Sequence, residues 1–140
     1  MPSQRIIDHA IKASYHSTCE HKLAAILYKG GAVLRVVCNC SKTMGYRKRY
    51  FFHGEPTRHA EMNAIHMIPR DVLAKCSLVV VRVDRNGELK SAKPCKACAL
   101  SLRDAGVKKV HYSSYSGEIL KLHFNELDHE YTKERYQDFQ

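Results

Sequence analysis

Long apolar stretches, internal repeats and low-complexity tracts are all absent from this chain. A membrane-spanning helix needs roughly 18 consecutive apolar residues, and no segment approaches that length. The amino-terminal residues MPSQRIIDHAIKASYH also lack the apolar core of a secretory signal peptide. We therefore expect an intracellular, cytoplasmic protein without a membrane partner.

Acidic residues are scarce relative to basic ones. The chain holds 14 Asp and Glu against 23 Lys and Arg, which gives a formal net charge of +9. A basic chain favours anionic partners, either phosphorylated small molecules or nucleic acid. Charge alone does not decide between them, and many basic proteins use their charge only for solubility.

No linker divides the sequence, and its 140 residues are the size of one ordinary domain. Hydrophobic residues make up 44% and charged residues 26%, as in soluble globular proteins rather than disordered ones. We predict a single domain over residues 1–140 that carries one site.

Helical and strand patterns alternate along the chain. The predicted helices cover residues 3–16, a stretch from Arg58 that Pro69 stops, and a stretch that Pro94 opens and Gly106 closes. The predicted strands are a hairpin over 22–38 around Gly30-Gly31, a buried strand over 76–83 and a short strand over 107–112. Turns at Asn86-Gly87 and Ser116-Gly117, a long loop over 40–57 and a polar tail from Phe124 complete the order. This alternation predicts an α/β domain of three layers, with helices on both faces of a central mixed sheet of about five strands.

The strongest local signal is the segment PCKAC at 94–98. We place Pro94 at the first helical position, where its missing N–H costs nothing. Cys95 and Cys98 then share one helix face, so both sulfurs reach one metal ion, and the positive end of the helix favours their thiolate forms. Alone, the pair is half of a structural zinc site or a redox pair, but a redox pair would need a thioredoxin-like context that this chain lacks.

The segment His59-Ala60-Glu61 lies at another predicted helix start. Positions i and i+2 do not share a helix face, so His59 and Glu61 serve one site only where the helix end points into it. One His and two Cys leave the fourth position of a zinc ion open, which is typical of a catalytic site. Glu61 would take the proton of a zinc-activated water and pass it on, which is the chemistry of hydrolytic deamination.

A purely structural zinc site is the alternative for these residues. Such a site closes its fourth position with another Cys or His, and the spare candidates are Cys38, Cys40, Cys76 and His53. Without an export signal, the six cysteines are better read as thiols or metal ligands than as disulfides. His66, His111, His123 and His129 are isolated, and we interpret them as surface or packing histidines.

The order H-x-E followed by P-C-x-x-C is the signature of zinc deaminases. Over roughly residues 15–120, HAEMNAI at 59–65, PCKACALSLRDAGVKKVHY at 94–112 and the hairpin at 22–38 resemble the cytidine and deoxycytidylate deaminases. The resemblance implies a cytidine-deaminase-like α/β/α fold and conversion of deoxycytidylate (dCMP) to dUMP and ammonia. It also implies one catalytic Zn²⁺ on His59, Cys95 and Cys98, with Glu61 as the proton shuttle.

The same resemblance implies substrate contacts. Asn39 would contact the sugar, the backbone amide of Ala60 would face the reacting ring, and Pro94 would shape the pocket wall. The family's glycine-rich turn after that asparagine is replaced here by Cys40-Ser41-Lys42-Thr43 and a basic, aromatic loop. Some viral deoxycytidylate deaminases carry a second, structural zinc, for which Cys19 with His16, His21 or His53 are the candidates.

The form of the substrate divides the enzyme hypothesis. Arg58, together with Arg47, Lys48 and Arg49, would neutralise the phosphate of a free mononucleotide. The same cations, interleaved with aromatic residues, would also suit single-stranded DNA or RNA with a flipped cytosine. Tyr112 and Tyr115 either stack on a base or simply pack. A non-catalytic, zinc-containing nucleic-acid-binding protein is the further alternative, and we also expect a homo-oligomer.

Overall fold

The structure is a computed structural model that describes residues 1–17, 22–39 and 60–124. Its helices are α1 (Gln4–Ser14), α2 (Ala60–Ile65), α3 (Arg70–Leu73) and α4 (Lys96–Ala105). Its strands are β1 (Lys22–Lys29), β2 (Ala32–Cys38), β3 (Ser77–Val83), β4 (Leu89–Lys90), β5 (Lys109–Ser113) and β6 (Ile119–Lys121). No helix among these residues is long and apolar enough to cross a membrane.

The described strands form one mixed sheet in the order β2-β1-β3-β5-β6, and β4 pairs with the end of β3. β3 and β5 are parallel, whereas the other pairs are antiparallel. The turns predicted at Asn86-Gly87 and Ser116-Gly117 are present, with Gly87 and Gly117 at φ 79° and 85°. The short return strands β4 and β6 that follow them were not predicted, because two or three residues are too few to show a periodic pattern.

Helices cover both faces of the sheet, so the predicted three-layer α/β/α architecture is confirmed. On one face, Ile6 and Ala10 of α1 pack with the buried residues Ile26, Val79 and Val81. On the other face, Met62 of α2 and Cys98 and Leu102 of α4 pack with Leu78 and Val80, which alternate with Val79 and Val81 along β3. We call these the α1 face and the α2/α4 face.

The first helix and the hairpin were predicted correctly. Ser3 caps α1 by accepting a hydrogen bond from the Ile6 amide at 3.3 Å. The hairpin turns at Gly30, which has φ 59°. Its register shifts between Leu27 and Tyr28, so β2 carries a bulge at the edge of the described sheet, a feature that hinders pairing with another chain.

Two helix boundaries differ from the prediction. The helix expected to run to Pro69 ends at Ile65, and Pro69 instead precedes the separate helix α3. Pro94 is not the first helical residue, because Cys95 has an extended ψ of 166° and acts as the N-cap of α4. The close of α4 at Gly106 is as predicted, with φ 85°. The loop at 40–57 and the tail from 125 lie outside the described residues.

Candidate active site

The predicted proton carrier lies at the start of α2. Ala60 and Glu61 are the first two residues of the helix, and their side chains are 0% and 3% exposed. A carboxylate is seldom buried to this extent unless it has a partner or a chemical role. α2 packs beside α4, and Ala60 belongs to the same buried cluster as Cys98. The fold therefore brings Glu61 onto the face where the cysteine pair lies.

The cysteine pair lies at the start of α4. Cys95 is the exposed N-cap residue, Cys98 is the third helical residue and fully buried, and neither forms a disulfide. The carbonyl of Cys95 accepts a hydrogen bond from the Ala99 amide at 2.8 Å, which fixes the first turn. Two thiols at the positive end of a ten-residue helix suit a soft divalent metal such as zinc.

The other predicted ligand, His59, and the predicted phosphate contact Arg58 lie outside the described residues. Within 1–17, 22–39 and 60–124, no group of three or more His, Cys, Asp and Glu side chains is placed to hold a metal ion. The described part of the site thus contributes two of the three predicted zinc ligands. Of the residues considered for a second zinc ion, His16 is exposed beyond the end of α1. The others lie outside the described residues; they are Cys19, His21 and His53.

Two spare cysteines proposed for a structural zinc site are described, and both lie elsewhere. Cys76 is buried near the carboxyl-terminal end of α4, where its carbonyl accepts from the Lys108 amide at 2.9 Å. A ten-residue helix spans about 15 Å, so Cys76 cannot share a metal with Cys95 and Cys98. Cys38 packs on the α1 face.

Asn39 follows β2 and is buried. Its side-chain Oδ1 accepts a hydrogen bond from the backbone N–H of Leu23 at 3.1 Å and another from the Ser17 hydroxyl. A backbone N–H can only donate, so the oxygen of the carboxamide must be the atom on this side. The NH₂ group is therefore the donor that Asn39 offers to any further partner. Ser17 was missed by the sequence reasoning because it is 22 residues away along the chain.

Two further polar residues, one on β2 and one on α2, join these two elements and were also missed. The Arg35 guanidinium donates to the carbonyl oxygens of Asn63 at 3.1 Å and His66 at 2.7 Å, and more weakly to that of Ala64 at 3.5 Å. The Asn63 carboxamide donates to the Cys38 carbonyl at 2.9 Å. Arg35 carries no motif in the sequence, and only the packing of α2 on β2 shows its role.

The remaining predicted contacts differ in their burial. Pro94 is buried immediately before Cys95. Tyr112 is half-buried on β5 and packs against the α2/α4 core. Tyr115 is 78% exposed in the turn after β5.

His111 is buried on β5, and its Nδ1 has no hydrogen-bond partner. It alternates with Val110 and Tyr112, so it points to the α1 face, away from Glu61 and Cys98. Burial, together with the positive charges of the amino terminus, Lys121 and Lys109, lowers the pKa of His111 to about 4. It is a neutral packing histidine at pH 7, as interpreted from the sequence.

Comparison with known proteins adds to this geometry. A family model described as the cytidine and deoxycytidylate deaminase zinc-binding region matches residues 2–114. The apo crystal structure of dCMP deaminase from the cyanophage S-TIM5 is 25% identical, covers 81% of this chain and 86% of its own, and has a TM-score of 0.51. The structure of that enzyme in complex with dCMP and dUMP is matched at 21% identity, 81% and 85% coverage and a TM-score of 0.46. No curated protein sequence matches the chain.

Proposed function

Because this chain belongs to the cytidine and deoxycytidylate deaminase family, we propose that it deaminates a cytosine-containing nucleotide by zinc-dependent hydrolysis, converting dCMP to dUMP and ammonia. The observation that carries this proposal is the buried Glu61 on a helix that packs beside the helix of Cys95 and Cys98. A structural zinc site or a nucleic-acid-binding protein would have no need of that carboxylate. The similarity to a cyanophage dCMP deaminase supports the choice of substrate.

We assign the roles as follows. His59, Cys95 and Cys98 hold the zinc ion, which when bound supplies the Lewis acid that makes water nucleophilic at neutral pH. Glu61 accepts the proton of the attacking water, delivers a proton to the ring nitrogen, and later protonates the departing amine. Glu61 is buried, so bulk water has little access to its carboxylate and competes little with it for the transferred protons.

Binding of the nucleotide involves the residues around this centre. The NH₂ group of Asn39 donates to an oxygen of the sugar, and the backbone amide of Ala60 faces the ring. Pro94 and Tyr112 form part of the wall, and Arg58 neutralises the phosphate. The homo-oligomer, the cytoplasmic location and a second zinc ion stay predictions of the sequence.

The test is a deamination assay on the purified zinc-loaded protein, with dCMP as substrate and dUMP and ammonia as the products measured. Glu61→Ala should lower kcat by at least about 100-fold, because positioned acid–base catalysis contributes that much, while zinc content and Tm stay close to wild type. Glu88→Gln is the matched control, since Glu88 is an exposed carboxylate whose 3.7 Å ion pair is with Lys90. Wild-type activity in Glu61→Ala, or no deamination of any cytosine substrate by the wild type, would overturn the proposal.

A competition assay decides the form of the substrate. dCMP and an unstructured cytosine-containing oligonucleotide are supplied at equal cytosine concentration, at low and at physiological salt. We expect faster turnover of dCMP, with a modest salt effect, because a single phosphate is contacted. Tenfold faster turnover of the oligonucleotide, with affinity that falls by orders of magnitude as salt rises, would establish the polynucleotide instead.

A further inference from the structure

The helix that carries Glu61 is too short to be stable by itself. α2 has six residues, whereas isolated helices below about 12 residues are marginal in water. Its position therefore depends on what holds it. Two polar residues join it to β2: Arg35 of β2 donates to carbonyls at the end of the helix, and Asn63 of the helix donates to the Cys38 carbonyl of β2. We call this pair of residues the β2 clamp.

Asn63 fixes the rotation of α2 about its axis. It comes two residues after Glu61, which places the two side chains about 200° apart around the helix. Asn63 donates to the Cys38 carbonyl of β2 at 2.9 Å, so Glu61 is directed to the opposite side of the helix, away from β2. Loss of this bond would free the helix to rotate and would swing the carboxylate with it.

Arg35 fixes the position of α2 along its axis. Its guanidinium binds the carbonyl oxygens at the last turn, at 3.1 Å from Asn63 and 2.7 Å from His66. These are the acceptors that a helix end leaves without intrahelical partners, and a cation there is favourable to the helix dipole. The chain then turns through Met67 at φ 61°, a conformation that costs free energy for a residue other than glycine, so the arginine contact offsets a locally unfavourable end.

The clamp also connects Glu61 to Asn39. The acceptor of the Asn63 bond is the carbonyl of Cys38, the residue directly before Asn39. Asn39 is itself held by the Leu23 amide at 3.1 Å and by the Ser17 hydroxyl. A short path of hydrogen bonds thus sets where Glu61 lies relative to the carboxamide of Asn39.

Resting on the proposed deaminase function, we propose that Arg35 and Asn63 are positioning residues for the reaction. They hold Glu61 at the reacting ring of a nucleotide that Asn39 binds. Misplacement of a catalytic group by about 1 Å can cost about 100-fold in rate, so residues that touch neither substrate nor metal can still control kcat.

The test compares four variants with wild type: Arg35→Ala, Arg35→Lys, Asn63→Asp and the control Arg70→Ala. Arg70 is the counterpart of Arg35 on the other helix, since it donates to the Asp104 carbonyl near the end of α4. For each variant, kcat and KM for dCMP are measured per zinc-loaded folded molecule across pH. Asn63→Asp keeps the shape of the side chain but faces the Cys38 carbonyl with an acceptor, so it probes the same bond should Arg35→Ala fail to fold.

We expect Arg35→Ala and Asn63→Asp to lower kcat by at least about tenfold, with KM changed less, because the proton carrier moves while the nucleotide still binds. The pH profile of kcat should shift with them, since Glu61 changes its surroundings. Arg35→Lys should recover part of the rate, and Arg70→Ala should match wild type. Wild-type kcat and pH profile in both clamp variants would overturn the proposal, whereas an inactive wild type would instead overturn the proposed function.

Discussion

α2 and α4 pack side by side on one face of the sheet, and each brings proposed active-site residues at its amino-terminal end, yet they are held in different ways. α4 has ten residues, begins at the N-cap Cys95 and ends at Gly106, whose amide donates to the carbonyls of Leu102 and Arg103. α2 has six residues, and the chain leaves it through Met67 at φ 61°. Its last carbonyls are bound by Arg35 of β2.

This difference separates a helix whose ends are specified locally from one whose end is specified by its neighbours. Glycine at a left-handed position and the turn of chain around Cys95 define α4 within its own segment. α2 depends on hydrogen bonds from a strand about 28 residues earlier in the chain. Two of the three proposed metal ligands, Cys95 and Cys98, thus lie at the start of the self-defined helix, and the proposed proton carrier lies on the dependent one.

The largest effect expected from this comparison concerns α4. Cys98→Ser should remove zinc and lower activity by at least about 100-fold, because the Lewis acid provides several kcal/mol of transition-state stabilisation. Elemental analysis and the dCMP assay measure both. Cys76→Ser changes a buried cysteine outside α4 that lies near the opposite end of this helix, and this variant should keep its zinc. If Cys98→Ser held as much zinc per chain as wild type, the assignment of α4 as the metal-binding helix would be wrong.

A smaller effect is expected at the end of α4. An added Cβ at Gly106 would lie 3.5 Å from the Arg70 side chain, so there is room for it. The φ of 85°, however, would be strained for alanine. Gly106→Ala should therefore lower the free energy of unfolding by about 1–2 kcal/mol. Urea unfolding measures the loss, provided the m-value is unchanged. An unchanged midpoint would mean that the glycine does not define this helix end.

The smallest effect, and one of opposite sign, is expected at the end of α2. Met67 has the same left-handed conformation and is 87% exposed, so its side chain contributes little packing. Met67→Gly should relieve about 1–2 kcal/mol of backbone strain. The greater flexibility of glycine in the unfolded chain offsets about 0.5–1 kcal/mol of this. A net gain of up to about 1.5 kcal/mol in the same unfolding experiment would sharpen the contrast with Gly106, whereas destabilisation would contradict it.

The sequence by itself determined the features whose cause is local. Gly30-Gly31 and Gly106 turn the chain where predicted, because glycine adopts left-handed backbone conformations at little cost. Apolar runs bounded by turn signals placed the main strands, and the spacing of Cys95 and Cys98 singled out α4. The HAEMNAI and PCKAC segments pointed to the deaminase family, which the match over residues 2–114 confirms.

Only the tertiary structure decided where α2 ends and how Asn39 is oriented. Pro69 was the nearest local stop signal, but Arg35 ends the helix four residues earlier by binding carbonyls as far as 31 residues away in sequence. Ser17 reaches Asn39 across 22 residues. Such bonds leave no periodicity or motif in either segment, because each partner alone is an ordinary polar residue. They exist only once β1, β2 and α2 have packed together, and this packing fixes where Glu61 lies.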